Sequence, residues 1–338
     1  MSAQRTWAWP LVPLYAAVVG MKDGLRNIGG LRTRSLQRPV VSIGSLSSGG
    51  AGKTPVVIAL AKLLEEHGWA VDVLTRGYGR KGRGIELVSG EDATRFGDEP
   101  VLIARATGVP VWVGKNRFAA GKKAEADPSA ALRDDKVGSV HILDDGFQHR
   151  RLARKIDVVL VTTDDLNDSL LPVGNLRERP RALSRADVIV VRDRELKRIA
   201  PRVLNLLHKR VTMWRIRRKL RFPEPLGVLS AGLRPVAFCA IARPMGFAEM
   251  LMDTGCGIVE TVAFPDHHAF TASDVEQLLD VAKKRKASGF VTTEKDAVKL
   301  TDAVRAQLES IGPVVVVGLE VEFVDADIVL KDLGERLA

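Results

Sequence analysis

Cysteine is nearly absent: Cys239 and Cys256 are the only two in the chain, with no CxxC spacing and no histidine cluster around them. That excludes a disulfide framework and a zinc site, and makes a reducing cytosol the natural compartment. A long uninterrupted apolar run is also missing. The stretch from Trp7 to Met21 is broken by Pro10 and Pro13, and as a helix it would reach about 22 Å, short of the roughly 30 Å hydrocarbon core. It should not cross a bilayer. No A-x-A-like site precedes the basic residues Lys22, Arg26, Arg32, Arg34 and Arg38, so a cleaved secretory signal is not expected either. Aromatic residues are scarce at 5%, and the cation-dense stretch Lys209 to Arg221 offers only Trp214 as a stacking platform, which counts against a nucleic-acid-binding ATPase. There is no internal repeat and no low-complexity tract.

What is present is an ordinary globular composition of 46% hydrophobic and 27% charged residues, which excludes disorder and a multi-span membrane protein. At 338 residues the chain exceeds what one hydrophobic core usually supports, so two compact units are expected. A formal net charge of +10 favours an anionic partner: nucleic acid, a phospholipid surface or a phosphorylated small molecule. Charge alone does not choose among them. Trp7, Trp9 and Tyr15, backed by flanking cations, suit a segment lying in a membrane interface; a helix packed on the body of the protein is the other reading.

Apolar runs alternate with helical patterns from about residue 39 to residue 193: Val40 to Ile43, Val56 to Leu64, Ala70 to Leu74, Val101 to Ala106, Val140 to Leu143, Val158 to Val161 and Val188 to Val191. The alternation predicts an α/β fold, a parallel sheet with helices on both faces and ligands at the carboxyl ends of the strands. The basic stretch before Arg221 reads as a boundary. A second set follows: Val236 to Ile241, a helix over Ala272 to Lys286, Gly289 to Thr292 and Val314 to Val317. The expected division is an interface helix over 1–28, a P-loop NTPase-like parallel sheet domain over 29–210, a linker strand over 211–230, a second, smaller α/β domain over 231–317, and a return linker and C-terminal segment over 318–338.

The strongest motif is Gly49-Gly50-Ala51-Gly52-Lys53-Thr54, between the strand Val40 to Ile43 and a helical Val56 to Leu64. Glycines let backbone N–H groups wrap a polyphosphate at a helix N-terminus, Lys53 reaches the outer phosphates and Thr54 ligates magnesium. Ser47 stands where the general pattern has its first glycine. Dimeric P-loop switch ATPases of partitioning or metal-delivery type carry a signature lysine where this chain has Ser48, which counts against that alternative. Leu143-Asp144-Asp145-Gly146 ends an apolar strand where a P-loop protein needs a carboxylate for magnesium, Asp144 or Asp145. Asp98, in Gly97-Asp98-Glu99-Pro100, reads locally as a helix cap. Phe264-Pro265-Asp266-His267-His268 leads into Thr271-Ala272-Ser273-Asp274, a capping box; two adjacent histidines do not face one metal, so a structural role is the local reading. Thr293-Glu294-Lys295-Asp296-Ala297-Val298-Lys299 is either a solvated helix start or a binding segment.

In order along the chain, Ile43-Gly44-Ser45-Leu46, the P-loop, Arg76-Gly77-Tyr78-Gly79, Gly97-Asp98-Glu99-Pro100, Asp144-Asp145-Gly146-Phe147-Gln148-His149, Leu171-Pro172-Val173-Gly174 into Leu176-Arg177-Glu178, Phe264-Pro265-Asp266-His267-His268 and Thr293-Glu294-Lys295-Asp296 resemble one family, the tetraacyldisaccharide 4'-kinases. Ser45 departs from the asparagine usual there, and Ala242-Arg243-Pro244 from a Gly-Asn-Pro-like turn. The resemblance implies ATP and Mg2+ as cofactors and a lipid disaccharide as substrate, the 4'-hydroxyl of the lipid A precursor being phosphorylated to give lipid IVA. It implies Asp98 as general base oriented by His267, Asp144 and Asp145 near magnesium, and Glu99, Arg117, Gln148, His149, Arg177 and Glu178 in or near the active site. A monomer at the cytoplasmic face of the bacterial inner membrane, held peripherally on its anionic surface and binding no nucleic acid, is the expected setting.

Overall fold

Valine-rich runs that are apolar on both faces can be satisfied only in the middle of a covered sheet, and they become buried parallel strands here. The computed structural model describes residues 6–27, 32–49, 52–90, 92–127, 136–207, 211–223 and 234–337. A 3-10 turn, Thr6–Leu11, enters α1 (Val12–Asn27). There follow β1 (Val40–Ser45), α2 (Lys53–Glu66), β2 (Trp69–Thr75), β3 (Glu86–Leu87), α3 (Ala93–Phe96), α4 (Asp98–Thr107), β4 (Val111–Val113), α5 (Arg117–Glu125), β5 (Gly138–Asp144), β6 (Ile156–Leu160), β7 (Val188–Arg192), α6 (Leu196–Leu207) and β8 (Thr212–Arg221). The second set is β9 (Val236–Cys239), α7 (Pro244–Asp253), β10 (Glu260–Ala263), α8 (Ala272–Arg285), β11 (Phe290–Thr293), α9 (Glu294–Ala297), α10 (Asp302–Glu309), β12 (Val314–Phe323) and α11 (Ala326–Leu337).

All twelve strands share one sheet in the order β10-β9-β11-β12-β8-β7-β6-β1-β5-β2-β4-β3, parallel except where β12 meets β8 and β3 meets β4. β12 joins two lobes: its first residues pair with β11, its last, Gly318 to Phe323, with β8. The expected strand at Val314 to Val317 therefore continues six residues further. Beyond it α11 returns to the first lobe, where Val329 and Leu333 pack with Val56, Val57, Leu60 and Leu64 of α2 on one face of the sheet. Truncating a fully buried leucine such as Leu60 costs about 2–5 kcal/mol, so this layer carries much of the lobe's stability. The opposite face is covered by α6 and by Val12, Tyr15 and Ala16 of α1. Separate apolar clusters lie on the two faces of β9, β11 and β12.

The cation-dense boundary is β8, and its charges are largely paired. Arg215 and Arg217 bond Asp193, Arg215 also bonds Asp325, Lys219 meets Glu322 and Arg221 meets Glu294. No helix among the described residues is long and apolar enough to cross a membrane.

Candidate active site

The phosphate loop follows β1. Gly44 is required by close approach, since a Cβ there would lie 2.5 Å from the Phe147 Cβ. Gly52 precedes α2 at φ 93°, the left-handed region that favours glycine. Gly50 and Ala51, expected to cradle phosphate with Gly49 and Gly52, lie outside the described residues. Lys53 and Thr54 open α2, where backbone N–H groups have no helical partner. The Lys53 ammonium donates to Ser45 Oγ at 3.2 Å and lies 3.4 Å from Asp145 Oδ1. Ser45 donates onward to the Ser47 carbonyl, so serine in the usual asparagine position still braces the loop.

Asp144 and Asp145 leave the end of β5 in different electrostatic settings. Burial, then the charges of Glu99 and Asp145, push the Asp144 carboxyl up to about 7, against a hydrogen bond from Thr75. For Asp145 burial is outweighed by Lys53 and Arg177, which hold its carboxyl below the ordinary range. Arg177 donates to Asp145 Oδ2 (2.8 Å), Gln148 Oε1 (3.1 Å) and the Ser48 carbonyl (3.1 Å), while Gln148 donates to the Ser45 carbonyl. Arg177 and Gln148 therefore knit the P-loop to the strand end. A magnesium ion fits beside them: Thr54 supplies a hydroxyl and Asp144 a carboxylate at the strand end, while Asp145 Oδ1, 3.4 Å from Lys53, makes no hydrogen bond of good geometry among the described residues. Those residues contain no cluster of three or more His, Cys, Asp or Glu arranged as a cage, which suits an ion that keeps water and phosphate oxygens as ligands.

Asp98 does not cap α4 as its local sequence suggested. Gly97 takes the cap at φ 98°, and Asp98 is the first helical residue, one carboxylate oxygen accepting from the Glu99 amide. That leaves Oδ2 to meet His267 Nδ1 at 2.9 Å, across 169 positions of sequence. His267 sits at φ 62° in the turn after β10, its ring 5.1 Å from that of Tyr78. His268 faces elsewhere, bonding Asp274 of the capping box, so the adjacent histidines divide into a site residue and a structural one. Lys295 joins the pair: its ammonium lies 3.3 Å from His267 Nε2, 3.2 Å from Asp266, 3.4 Å from Glu99 and 4.0 Å from Asp98, and Lys299 is 3.9 Å from Asp98. A neutral His267 that accepts from Lys295 at Nε2 keeps its proton on Nδ1, directed at Asp98. Burial pushes the Asp98 carboxyl up, yet the His267 hydrogen bond and the Lys295, His267 and Lys299 charges hold it below the carboxylate range. The bond to Asp98 raises His267 above its usual value against the opposing effects of burial and Lys295.

The second lobe's contribution depends on Asp296, which is fully buried and accepts from the Ala240 amide, the Thr293 hydroxyl and Lys299. This fixes the short α9 so that Lys295 points at the first lobe. Lys295 and Lys299 lay in a segment whose role the sequence left open between solvation and binding; the available signal was the motif Thr293 to Asp296. Arg117 opens α5 and is buried; desolvation and the neighbouring Arg76 lower its pKa, while Asp145 and Asp144 raise it, which puts it within electrostatic reach of the strand end. Glu178 is buried but bonds Arg185, whose guanidinium lies over the Phe147 ring, so it reaches the site only through that packing. His149 occupies the turn after β5, its amide bonded to the Gly146 carbonyl. The Tyr15 hydroxyl donates to the Arg177 carbonyl at 3.0 Å, tying α1 to the site.

Comparison with known proteins shows the family and the fold. The sequence profile of the LpxK family, tetraacyldisaccharide-1-P 4'-kinase, matches residues 4–338. A tetraacyldisaccharide 4'-kinase of Koribacter versatilis (strain Ellin345) is 39% identical, over 96% of this chain and 97% of that protein; one from Syntrophus aciditrophicus (strain SB) is 38% identical, over 79% and 77%. The crystal structure of LpxK from Aquifex aeolicus in complex with ATP superposes with a TM-score of 0.74 at 28% identity, covering 99% of each chain. Shared motifs, shared fold and near-complete coverage lead to one assignment: the chain belongs to the tetraacyldisaccharide-1-P 4'-kinase family.

Proposed function

We infer that this protein transfers the γ-phosphoryl group of ATP to the 4'-hydroxyl of a tetraacyldisaccharide 1-phosphate, the lipid A precursor, giving lipid IVA. The observation that carries the catalytic reading is the 2.9 Å contact between Asp98 and His267, next to Glu99, whose charge acts on Asp144 at the strand end. Asp98 acts as the general base: it is held ionised, and it takes the proton of the sugar hydroxyl as the oxygen attacks phosphorus. His267 orients the carboxylate and accepts part of the charge change. Lys53, Arg177 and Arg117 bind the phosphate oxygens. Thr54, Asp144 and Asp145 would hold magnesium, Asp145 being also kept at the P-loop by Lys53 and Arg177. When bound, the metal neutralises phosphate charge and orients the outer phosphates.

Because base and partner come from different lobes, opening of the lobes would part them, so the base is complete only in the closed arrangement that brings them to 2.9 Å, which limits wasteful ATP hydrolysis. The division into a P-loop domain over 29–210, a linker over 211–230 and a smaller domain over 231–317 is part of this proposal. So is peripheral attachment to the cytoplasmic face of the inner membrane as a monomer. Trp7 (76% exposed), Trp9, Leu11, Leu14 (65%), Val18 and Met21 leave an apolar surface on the N-terminal segment, while Tyr15 and Ala16 face the body. The pairing of the β8 cations with carboxylates supports the absence of nucleic-acid binding. Labelled ATP and purified tetraacyldisaccharide 1-phosphate, with magnesium, test the reading. Label in the lipid product is the expected result, and ATP hydrolysis without lipid labelling contradicts it.

A further inference from the structure

A second cluster of charge lies in the cleft outside the machinery described above. Arg192 ends β7; Arg218 lies on β8, two residues beyond Ile216, the register partner of Arg192; Arg243 precedes α7 at its N-cap position, where no side chain caps the helix. Arg192 is at the carboxyl end of a parallel strand and Arg243 at a helix N-terminus, places where an α/β sheet binds anions, and Arg218 lies within the neighbouring β8. The residue before Arg243, Ala242, adjoins the phosphate loop: a Cβ on Gly49 would lie 3.7 Å from the Ala242 Cβ. On the other flank, a Cβ on Gly52 would lie 4.0 Å from Leu160 at the end of β6. Gly49 lies equally close to Asp266 of the Asp98 cluster, so the two clusters flank the phosphate loop, with Arg192 at the end of β7 and Asp144 at the end of β5.

The cluster is electrically unbalanced. Arg192, Arg194 and Arg243 act against the Arg218 charge, and Arg243 and Arg194 against that of Arg192, with Glu195 opposing them at both and Asp164 at Arg192. Glu195 takes one Arg192 nitrogen at 3.3 Å, and Asp164, itself largely exposed, takes Arg243 at 3.1 Å. Arg192 is only 8% exposed, yet its Nε and Nη2, and Nε of Arg218, have no hydrogen-bond partner among the described residues. Burial, then Arg192, Arg194 and Arg243, push the Arg218 guanidinium down to about 10, so the group resists its own charge. Buried guanidinium N–H groups left unmade are costly and rare in a native protein. Their planar forks match phosphate oxygens, and the open N–H groups of α7 add donors of the same kind.

We propose that Arg192, Arg218 and Arg243 form a second phosphate-binding site, separate from the P-loop, that holds a substrate phosphate between the two lobes. The proposal rests on the kinase reading. Two substrates bring phosphate to this cleft, the nucleotide and the sugar 1-phosphate of the lipid. The nucleotide is favoured, because Ala242, the residue before Arg243, adjoins Gly49 of the phosphate loop. Arg243 comes from the second lobe and Arg192 and Arg218 from the first, so a phosphate held by all three draws the lobes together.

The test uses the full chain with Arg243→Gln, a partly exposed position where folding is safe, and Arg192→Gln. The expected result is a rise in KM for magnesium ATP of roughly tenfold to a hundredfold, the scale of losing a charged hydrogen bond to phosphate, with kcat at saturating ATP largely kept. Calorimetric ATP binding without lipid should weaken by the same factor; that readout does not depend on lipid turnover, so it separates failure of this site from failure of the kinase reading. Arg192→Gln protein without nucleotide should unfold at the same or a higher temperature, because a buried guanidinium with two unmade N–H groups and a single 3.3 Å carboxylate contact has gone. A rise in lipid KM with ATP KM unchanged still supports the phosphate site and assigns it to the sugar phosphate. ATP and lipid KM both unchanged in Arg243→Gln, or a lowered unfolding temperature in Arg192→Gln with normal ATP affinity, overturns the proposal and makes the cluster structural.

Discussion

Two charged clusters occupy one cleft and are balanced in opposite ways. Around Asp98 the carboxylates of Glu99 and Asp266 and the base itself are matched by Lys295, Lys299 and His267, with every contact at 4.0 Å or less. Around Arg192 four guanidiniums face two carboxylates and several N–H groups remain unmade. A balanced network keeps a base ionised and aimed before substrate arrives, which is the preorganisation a catalytic group needs. An unbalanced network stores a cost that an anionic ligand relieves. The difference separates residues that do chemistry from residues that recognise.

The largest expected effect comes from removing the ammonium of the phosphate loop between the two clusters. Lys53→Ala should abolish most turnover, since it takes away the phosphate-paired ammonium and leaves Asp145 with Arg177 alone; near-normal kcat in folded Lys53→Ala protein would remove the P-loop from the account. Lys295→Met should unbalance the Asp98 cluster, costing roughly tenfold in kcat at neutral pH, the worth of one charged hydrogen bond. It also alters the pH profile. A carboxyl held low by cations accepts protons only at low pH, and losing one cation raises its pKa, so the acid limb of kcat/KM should move to higher pH. An acid limb that stays in place would show that Lys295 does not act on the base.

A smaller effect concerns His267 and stability. Its folded value lies above 6.5, so its contribution is fully present below about pH 6.5 and disappears as the pH rises through the folded value. The unfolding temperature of wild type should exceed that of His267→Gln by a few degrees at pH 6 and converge with it at alkaline pH; a gap that widens with pH contradicts the assignment. The smallest effect is expected at the membrane contact. Deleting residues 1–28 should raise the soluble fraction, and identical partitioning of both forms between membrane and cytosol would refute the interfacial helix.

How far these clusters could be read in advance depended on how the chain distributes them. The P-loop and the strand end at Asp144 were legible because their residues are contiguous and the chemistry is set by order: strand, glycines, Lys53, Thr54, helix. The sheet was legible because valine runs without polar alternation fit only a covered parallel strand. Asp98 and His267 were different. Local sequence favoured a helix cap and a structural turn, and nothing in the spacing joins residues 169 apart; only the resemblance paired them. Gly97 explains the miss at Asp98, since a glycine at φ 98° takes the cap and frees the carboxylate. The tail of β12 alternates Leu319, Glu320, Val321, Glu322 and Phe323, a period-two signal beyond the expected strand end. Arg192, Arg218 and Arg243 come from three segments with no motif, and their imbalance exists only once the fold assembles them.

The central claim is that Asp98 and His267 act as one unit across the two lobes. Turnover at saturating ATP and lipid, measured for Asp98→Ala, His267→Ala and the double variant, tests it most directly. The account predicts that each single change lowers kcat by roughly 10² to 10⁴, the range for losing a general base, and that the double variant is little worse than Asp98→Ala alone. Losses that multiply independently, or a His267→Ala enzyme with unchanged kcat, would contradict it.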